Sequence, residues 1–143
     1  IVVDNTAPIA TLSGALTCAS VSGVVQITGT ATDANLAGWT LQYTGGDAHG
    51  WVTIASGNTP VNNGLLANWN TAGLRKCAYT LRLVVSDKAG VNCSGFPHTT
   101  EYYASVGVGW YIVGDMNCDG LVDFNDINPF VACLTAGGNC SCP

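Results

Sequence analysis

The chain has 143 residues, 48% of them hydrophobic and only 9% charged, with a formal net charge of −5. That length accommodates one body with a real core plus a small appendage, not two full domains, and low charge with many β-branched residues argues against disorder. The four basic residues, Arg75, Lys76, Arg82 and Lys88, make no patch of the kind phosphate recognition needs, which speaks against nucleic acid as a partner.

Along residues 1–110, short runs of β-branched and aromatic residues recur between Gly, Asn, Asp and Pro clusters, the spacing of an all-β sandwich. Strands are expected over 9–12, 24–31, 39–43, 51–55, 65–69, 79–86 and 102–108. In the third, Trp39, Leu41 and Tyr43 face one way and Thr40 and Gln42 the other, so Trp39 is a natural core anchor. In the sixth, Tyr79, Leu81, Leu83 and Val85 oppose Thr80, Arg82 and Ser86, a half-buried strand with a period of two. Asp87-Lys88-Ala89-Gly90 then reads as the turn or loop after it. No apolar run approaches the ~20 residues of a membrane span, so membrane insertion is not expected. Seven cysteines in so small a chain imply disulfides formed outside the cell, in a secreted or cell-surface setting. The start at Ile1 rather than methionine fits a removed signal peptide or a trimmed chain.

Three stretches carry a family pattern: Asp4-Asn5-Thr6-Ala7-Pro8, the run Val-x-Gly-x-x-x-Ile-x-Gly-x-Ala-x-Asp over 21–33, and Leu74-x-x-x-x-Tyr79-x-Leu81-x-Leu83 ending at Asp87-x-Ala89-Gly90. Together, over about 105 residues, they resemble bacterial immunoglobulin-like domains of cell-surface and secreted proteins. The resemblance implies an immunoglobulin-like antiparallel sandwich of about seven strands and says little of function. In tandem arrays of such domains the Asp-Asn-Thr-Ala-Pro entry follows the last strand of a preceding domain, here Ile1-Val2-Val3. Residues 1–8 are thus either a first strand and linker of this domain, or a spare strand that pairs with a neighbour's sheet edge. In a sandwich of this type the second and sixth strands start at the same end, so Cys18 and Cys77 are the expected pair. Cys93 lies beyond the far end of the sixth strand.

The tail, residues 111–143, holds the remaining four acids: Asp115, Asp119, Asp123 and Asp126. From Asp115 onward the sequence matches the EF-hand loop D-x-[DN]-x-[DN]-G at its first, third, fifth and sixth positions. A hard divalent cation needs six to eight oxygens. The loop offers side chains from Asp115, Asn117, Asp119, Asp123 and Asp126 and the Leu121 carbonyl, with Gly120 at the sharp turn. The last position carries Asp126 where an EF-hand has Glu, and residues 114–130 in that respect resemble one dockerin repeat of secreted bacterial proteins. Dockerins carry two such repeats, each a calcium loop followed by a helix, and dock onto cohesins; one repeat is present here, and the resemblance implies a bound Ca2+. After the loop, Ile127, Phe130, Val131 and Leu134 fall on one face of a short helix, with Pro129 in its first turn. Cys118, Cys133, Cys140 and Cys142 permit three internal pairings; disulfides are favoured over a zinc site because no His lies in the tail. Cys93 is then the unpaired seventh.

No catalytic constellation is visible. His49 and His98, the two imidazoles, stand in separate Gly or Pro contexts, and the acids of the body fall mostly in turns. Asp33 and Asp87 suggest either turn capping or a second cation site. Trp51, Trp69, Trp110 and Tyr111 suggest either core packing or a platform for sugars. The Asn92 and Asn139 sequons are weak signals for glycosylation. The expected function is that of a non-catalytic extracellular structural subunit, self-associating by strand addition into a fibre or surface layer and rigidified by calcium and disulfides. The alternative is a spacer or anchoring module of a larger secreted enzyme, docking to a scaffold protein or a polysaccharide.

Overall fold

The computed structural model describes residues 4–13, 16, 18–89, 96–109, 112, 114–115, 117–128, 131 and 135. Among these residues eight strands form two sheets: β1 (Ile9–Leu12), β2 (Ala19–Val21), β3 (Val24–Thr32), β4 (Leu36–Gly45), β5 (Ala48–Gly57), β6 (Val61–Asn70), β7 (Cys77–Asp87) and β8 (Thr99–Val108). One sheet has the order β1-β3-β6 and the other β2-β8-β7-β4-β5. Every pairing is antiparallel except that of β2 with β8, which is parallel. The molecule is therefore an all-β two-sheet sandwich.

The alternation in β7 sets the core. Tyr79, Leu81, Leu83 and Val85 are buried, while Thr80, Arg82, Val84 and Ser86 are half-buried on the opposite face. Leu81, Leu83 and Val85 meet Leu41, Ile27 and Val106 among the wholly enclosed side chains. Trp39 is buried as expected, and its indole N–H donates to the Thr59 carbonyl at 3.0 Å. At one end of the sandwich Tyr43, Trp69 and Tyr79 pack ring against ring, with centroids 5.4 to 6.0 Å apart. The Tyr79 hydroxyl donates to the Arg75 carbonyl. Gly46, at φ +57, lies so close beneath this ring that a Cβ would fall 2.2 Å from the Tyr79 hydroxyl oxygen, so both conformation and space require glycine there.

All seven expected strands are present, most of them longer than read from the sequence, and β2 is an addition. That addition corrects the expected Cys18–Cys77 pair. Cys18 lies just before β2, its N–H donating to the Ser105 carbonyl of β8 at 2.7 Å, while Cys77 sits across β8 opposite Val108. With β8 between them the two cysteines are two strand spacings apart, ~9.6 Å, beyond the Cα reach of a disulfide. Cys77 instead bonds Cys118, their Cα atoms 5.4 Å apart. The tail leaves β8 at Val108, beside Cys77, so ten residues of chain bring Cys118 back to the start of β7. Arg75 braces the junction, its guanidinium donating to the Cys118 carbonyl at 2.9 Å. Cys18 is disulfide-bonded as well. Cys93, Cys133, Cys140 and Cys142 lie outside the described residues, as do Ile1, Val2 and Val3.

Of the tail, the described part forms a loop ending in a 3-10 turn, Phe124–Asp126. The expected helix falls largely outside the described residues. Ile127 and Val131, which belong to its apolar face, are about half exposed rather than packed on the sandwich. Among the described residues no helix is long and apolar enough to cross a membrane.

Candidate metal centres

The tail loop is laced from within by carboxylates. Asp115 accepts from the Asp119 N–H through Oδ1 (3.1 Å) and from the Gly120 N–H through Oδ2 (2.8 Å). Asp126 reaches back in the same manner, accepting from the Asn117 N–H (3.1 Å) and the Asp123 N–H (2.8 Å). Both carboxylates are buried, whereas Asp119 and Asp123 are exposed. Asn117 and Asp119 each accept from the backbone two residues on, at 2.9 Å, the turns that Asn and Asp side chains favour. Cys118 at φ +61 and Gly120 at φ +93 supply the left-handed corners that bend the chain. Asp123 caps the 3-10 turn and shares a capping box with Asp126. The first and last acids are thus drawn to the same stretch of backbone. Asp115, Asn117, Asp119, Asp123, Asp126 and the Leu121 carbonyl, the ligands expected from the sequence, share this loop, but among the described residues no three of its carboxylates gather as closely as the group at the end of the sandwich.

A second group forms at one end of the sandwich, where Asp4, Asp33 and Asp87 each offer a carboxylate oxygen within 4.8 Å of the others. Three segments position them: the entry before β1, the β3–β4 turn and the end of β7. Asn35 ties the first two together, its side-chain amide donating to Asp4 and its N–H to Asp33, both at 2.7 Å. Asp87 is 1% exposed. It accepts from the Ala89 and His98 N–H groups at 3.0 and 2.8 Å, and its other oxygen lies 2.8 Å from His98 Nδ1. Burial alone would raise its pKa; the His98 side chain, the two N–H donors and the imidazole charge outweigh it and hold the carboxyl below its ordinary value. The sequence pointed to Asp33 and Asp87. Asp4 was missed because its neighbourhood is made only by the fold; the proximity of an Asp to the domain entry was the one available hint.

The remaining expected site residues scatter. Trp69 is a core residue, Trp51 is exposed on β5, and Trp110 and Tyr111 lie outside the described residues. His49 is exposed on β5, whereas His98 is engaged by Asp87.

This architecture defines an all-β sandwich with an acidic loop clamped to one of its central strands. No family model matches the chain, and no curated protein does. Among solved structures, CvAA9A is similar at 18% identity, covering 85% of this chain and 74% of that one, with a TM-score of 0.48.

Proposed function

We propose that this chain is a non-catalytic extracellular structural module: an immunoglobulin-like sandwich whose dockerin-like tail loop binds Ca2+ and which assembles with copies of itself. The observation that carries the calcium reading is the pair of buried carboxylates, Asp115 and Asp126, folded onto the backbone of one twelve-residue acidic loop. Four carboxylates packed into that span repel one another, and a divalent ion relieves the repulsion while supplying ordering energy. The Cys77–Cys118 bond supports an oxidising compartment.

Self-association rests on the sheet edges. Ile9–Leu12 is already paired with β3, so strand donation narrows to residues 1–8. The receiving edge is β6, ten residues long with β3 on one side only, the kind of edge that accepts another strand.

Calorimetric titration with calcium tests the ion site, together with melting curves in chelator. Calcium at about 100 times its Kd should stabilise the fold by about 2.7 kcal/mol, and Asp119→Ala should abolish both the heat and the stabilisation. An ion held at Asp4, Asp33 and Asp87 would instead be lost with Asp33→Asn. No heat at millimolar calcium, with an unchanged melt in chelator, overturns the reading. Light scattering tests assembly: a monodisperse monomer at every concentration removes the self-association.

A further inference from the structure

The outer face of the five-stranded sheet carries a second, unrelated constellation. Register places Thr53 of β5 opposite Gln42 of β4, Gln42 opposite Arg82 of β7, and Arg82 opposite Tyr103 of β8. Side chains paired in this way share one face, so a hydroxyl, an amide, a guanidinium and a phenol form a single row across four strands. The row is fixed in place. Arg82 donates twice to Gln42 Oε1, at 3.1 and 2.6 Å, and lies 4.0 Å from Glu101. Tyr103 donates to Glu101. Trp51 lies over the Arg82 guanidinium, 4.0 Å from ring centroid to Cζ, with the Tyr103 ring 6.1 Å away.

One face of the Trp51 ring is therefore taken by a cation, and since the residue is 36% exposed the other is left to solvent. A large aromatic ring on this mostly polar face has no part in the core of this sandwich. Further along β4 the same face drops into a shallow, open groove of about 590 Å³. Its floor is Gly38 and Gly57, and its walls include Thr40, Ser56, Asn58 and Ser86. Gly38 pairs with Ser86 on this outer face, and a Cβ there would stand 3.0 Å from the Gly57 carbonyl oxygen, so the neighbouring strand favours a bare floor. From Gly38 to Thr44 the strip runs ~20 Å.

We infer that this strip binds an uncharged polysaccharide, with Trp51 stacking on a sugar ring and Gln42, Arg82 and the groove hydroxyls meeting its hydroxyl groups. Charge selects the occupant. The rows through Gln42, Thr40 and Thr44 contain one cation, Arg82, and one anion, Glu101, set against each other. The remaining groups are hydroxyls and amides, with Val84 as the apolar exception, and they complement a ligand that donates and accepts hydrogen bonds without net charge. An anionic polymer would meet a protein of net charge −5. Prior fixing of Arg82 and Trp51 lowers the ordering cost of binding, and the cation against one face of the ring holds it in place.

Affinity electrophoresis of the full chain tests this in gels containing hydroxyethylcellulose, xylan, galactomannan or laminarin, with polygalacturonate as the charged contrast. At least one neutral polymer should retard the protein and perturb its tryptophan fluorescence. Trp51→Ala should weaken that retardation by about tenfold while leaving the melting temperature and calcium binding intact. If Trp51→Ala proves poorly folded, Trp51→Thr, suited to an edge strand, takes its place. Retardation by polygalacturonate alone, by none of the polymers, or equally for wild type and both Trp51 variants overturns the proposal. So does a wild-type dimer that dissociates with Trp51→Ala and ignores every polymer, which would assign the face to a second copy of the chain.

Discussion

Strand β7 and the acidic tail loop are joined by one disulfide, yet they are held by opposite means. In β7 every second side chain is enclosed by apolar neighbours, and the backbone bonds are made by β4 on one side and β8 on the other. In the loop the backbone N–H groups are satisfied by the loop's own carboxylates and amides, while Leu121, Val122 and Phe124 stand out in solvent. The first arrangement draws its stability mainly from burial. The second has little burial, and its order depends on charges that must be balanced. Chain of similar length is thus held in one case by a dry interior and in the other by side chains bonded back onto their own backbone.

The sharpest way to break this contrast is to damage each region and ask whether the other notices. Leu81→Ala, at a side chain with no exposure, should cost about 3–5 kcal/mol and lower the melt of the whole sandwich, read by circular dichroism. Cys118→Ala opens a link spanning 41 residues in sequence and should cost about 2–4 kcal/mol. If the loss appears in hydrogen exchange of the tail before that of β7, the two regions unfold separately; a single cooperative loss would show them to be one unit.

Asp87 gives a smaller and pH-dependent effect. Its folded pKa lies below the ordinary value of 3.8, so its contribution is complete above that value and disappears as pH falls through the lower folded one. Asp87→Asn should therefore cost about 1–3 kcal/mol near neutrality, and the gap from wild type should close in acid. Denaturant melts between neutral and strongly acidic pH read this directly, and a gap independent of pH would refute it.

The body was largely legible in the sequence because alternation is a local signal: Tyr79, Leu81, Leu83 and Val85 announce their face without knowledge of any partner. What escaped was non-local. Ala19–Val21 is three residues long and owes its strand character to pairing with β8, more than eighty residues later. The cysteine pairing failed for the same reason, since the intervening position of β8 is a property of sheet order. β6 was read from Leu65 onward because Asn62 and Asn63 look like a turn; Asn63 does adopt φ +44, yet it is held in the strand by hydrogen bonds with Thr30 of β3. At the acidic loop the sharp turn at Gly120, which has φ +93, could be read directly from the spacing of its neighbours. The gathering of Asp4 with Asp33 and Asp87, and of Arg82 and Tyr103 with Trp51, depends on register and could not.

The clasp between Cys77 and Cys118 has a mechanical consequence. Tension applied to the chain beyond Cys118 does not run back through the loop into β8; the covalent shortcut delivers it to Cys77, the first residue of β7, which pairs with Val108 of β8. The 40 intervening residues, the rest of β7 and all of β8 among them, are excluded from the load path. A pull that would otherwise peel β8 away, one rung after another, passes instead from Cys77 into the connection that joins β6 to β7.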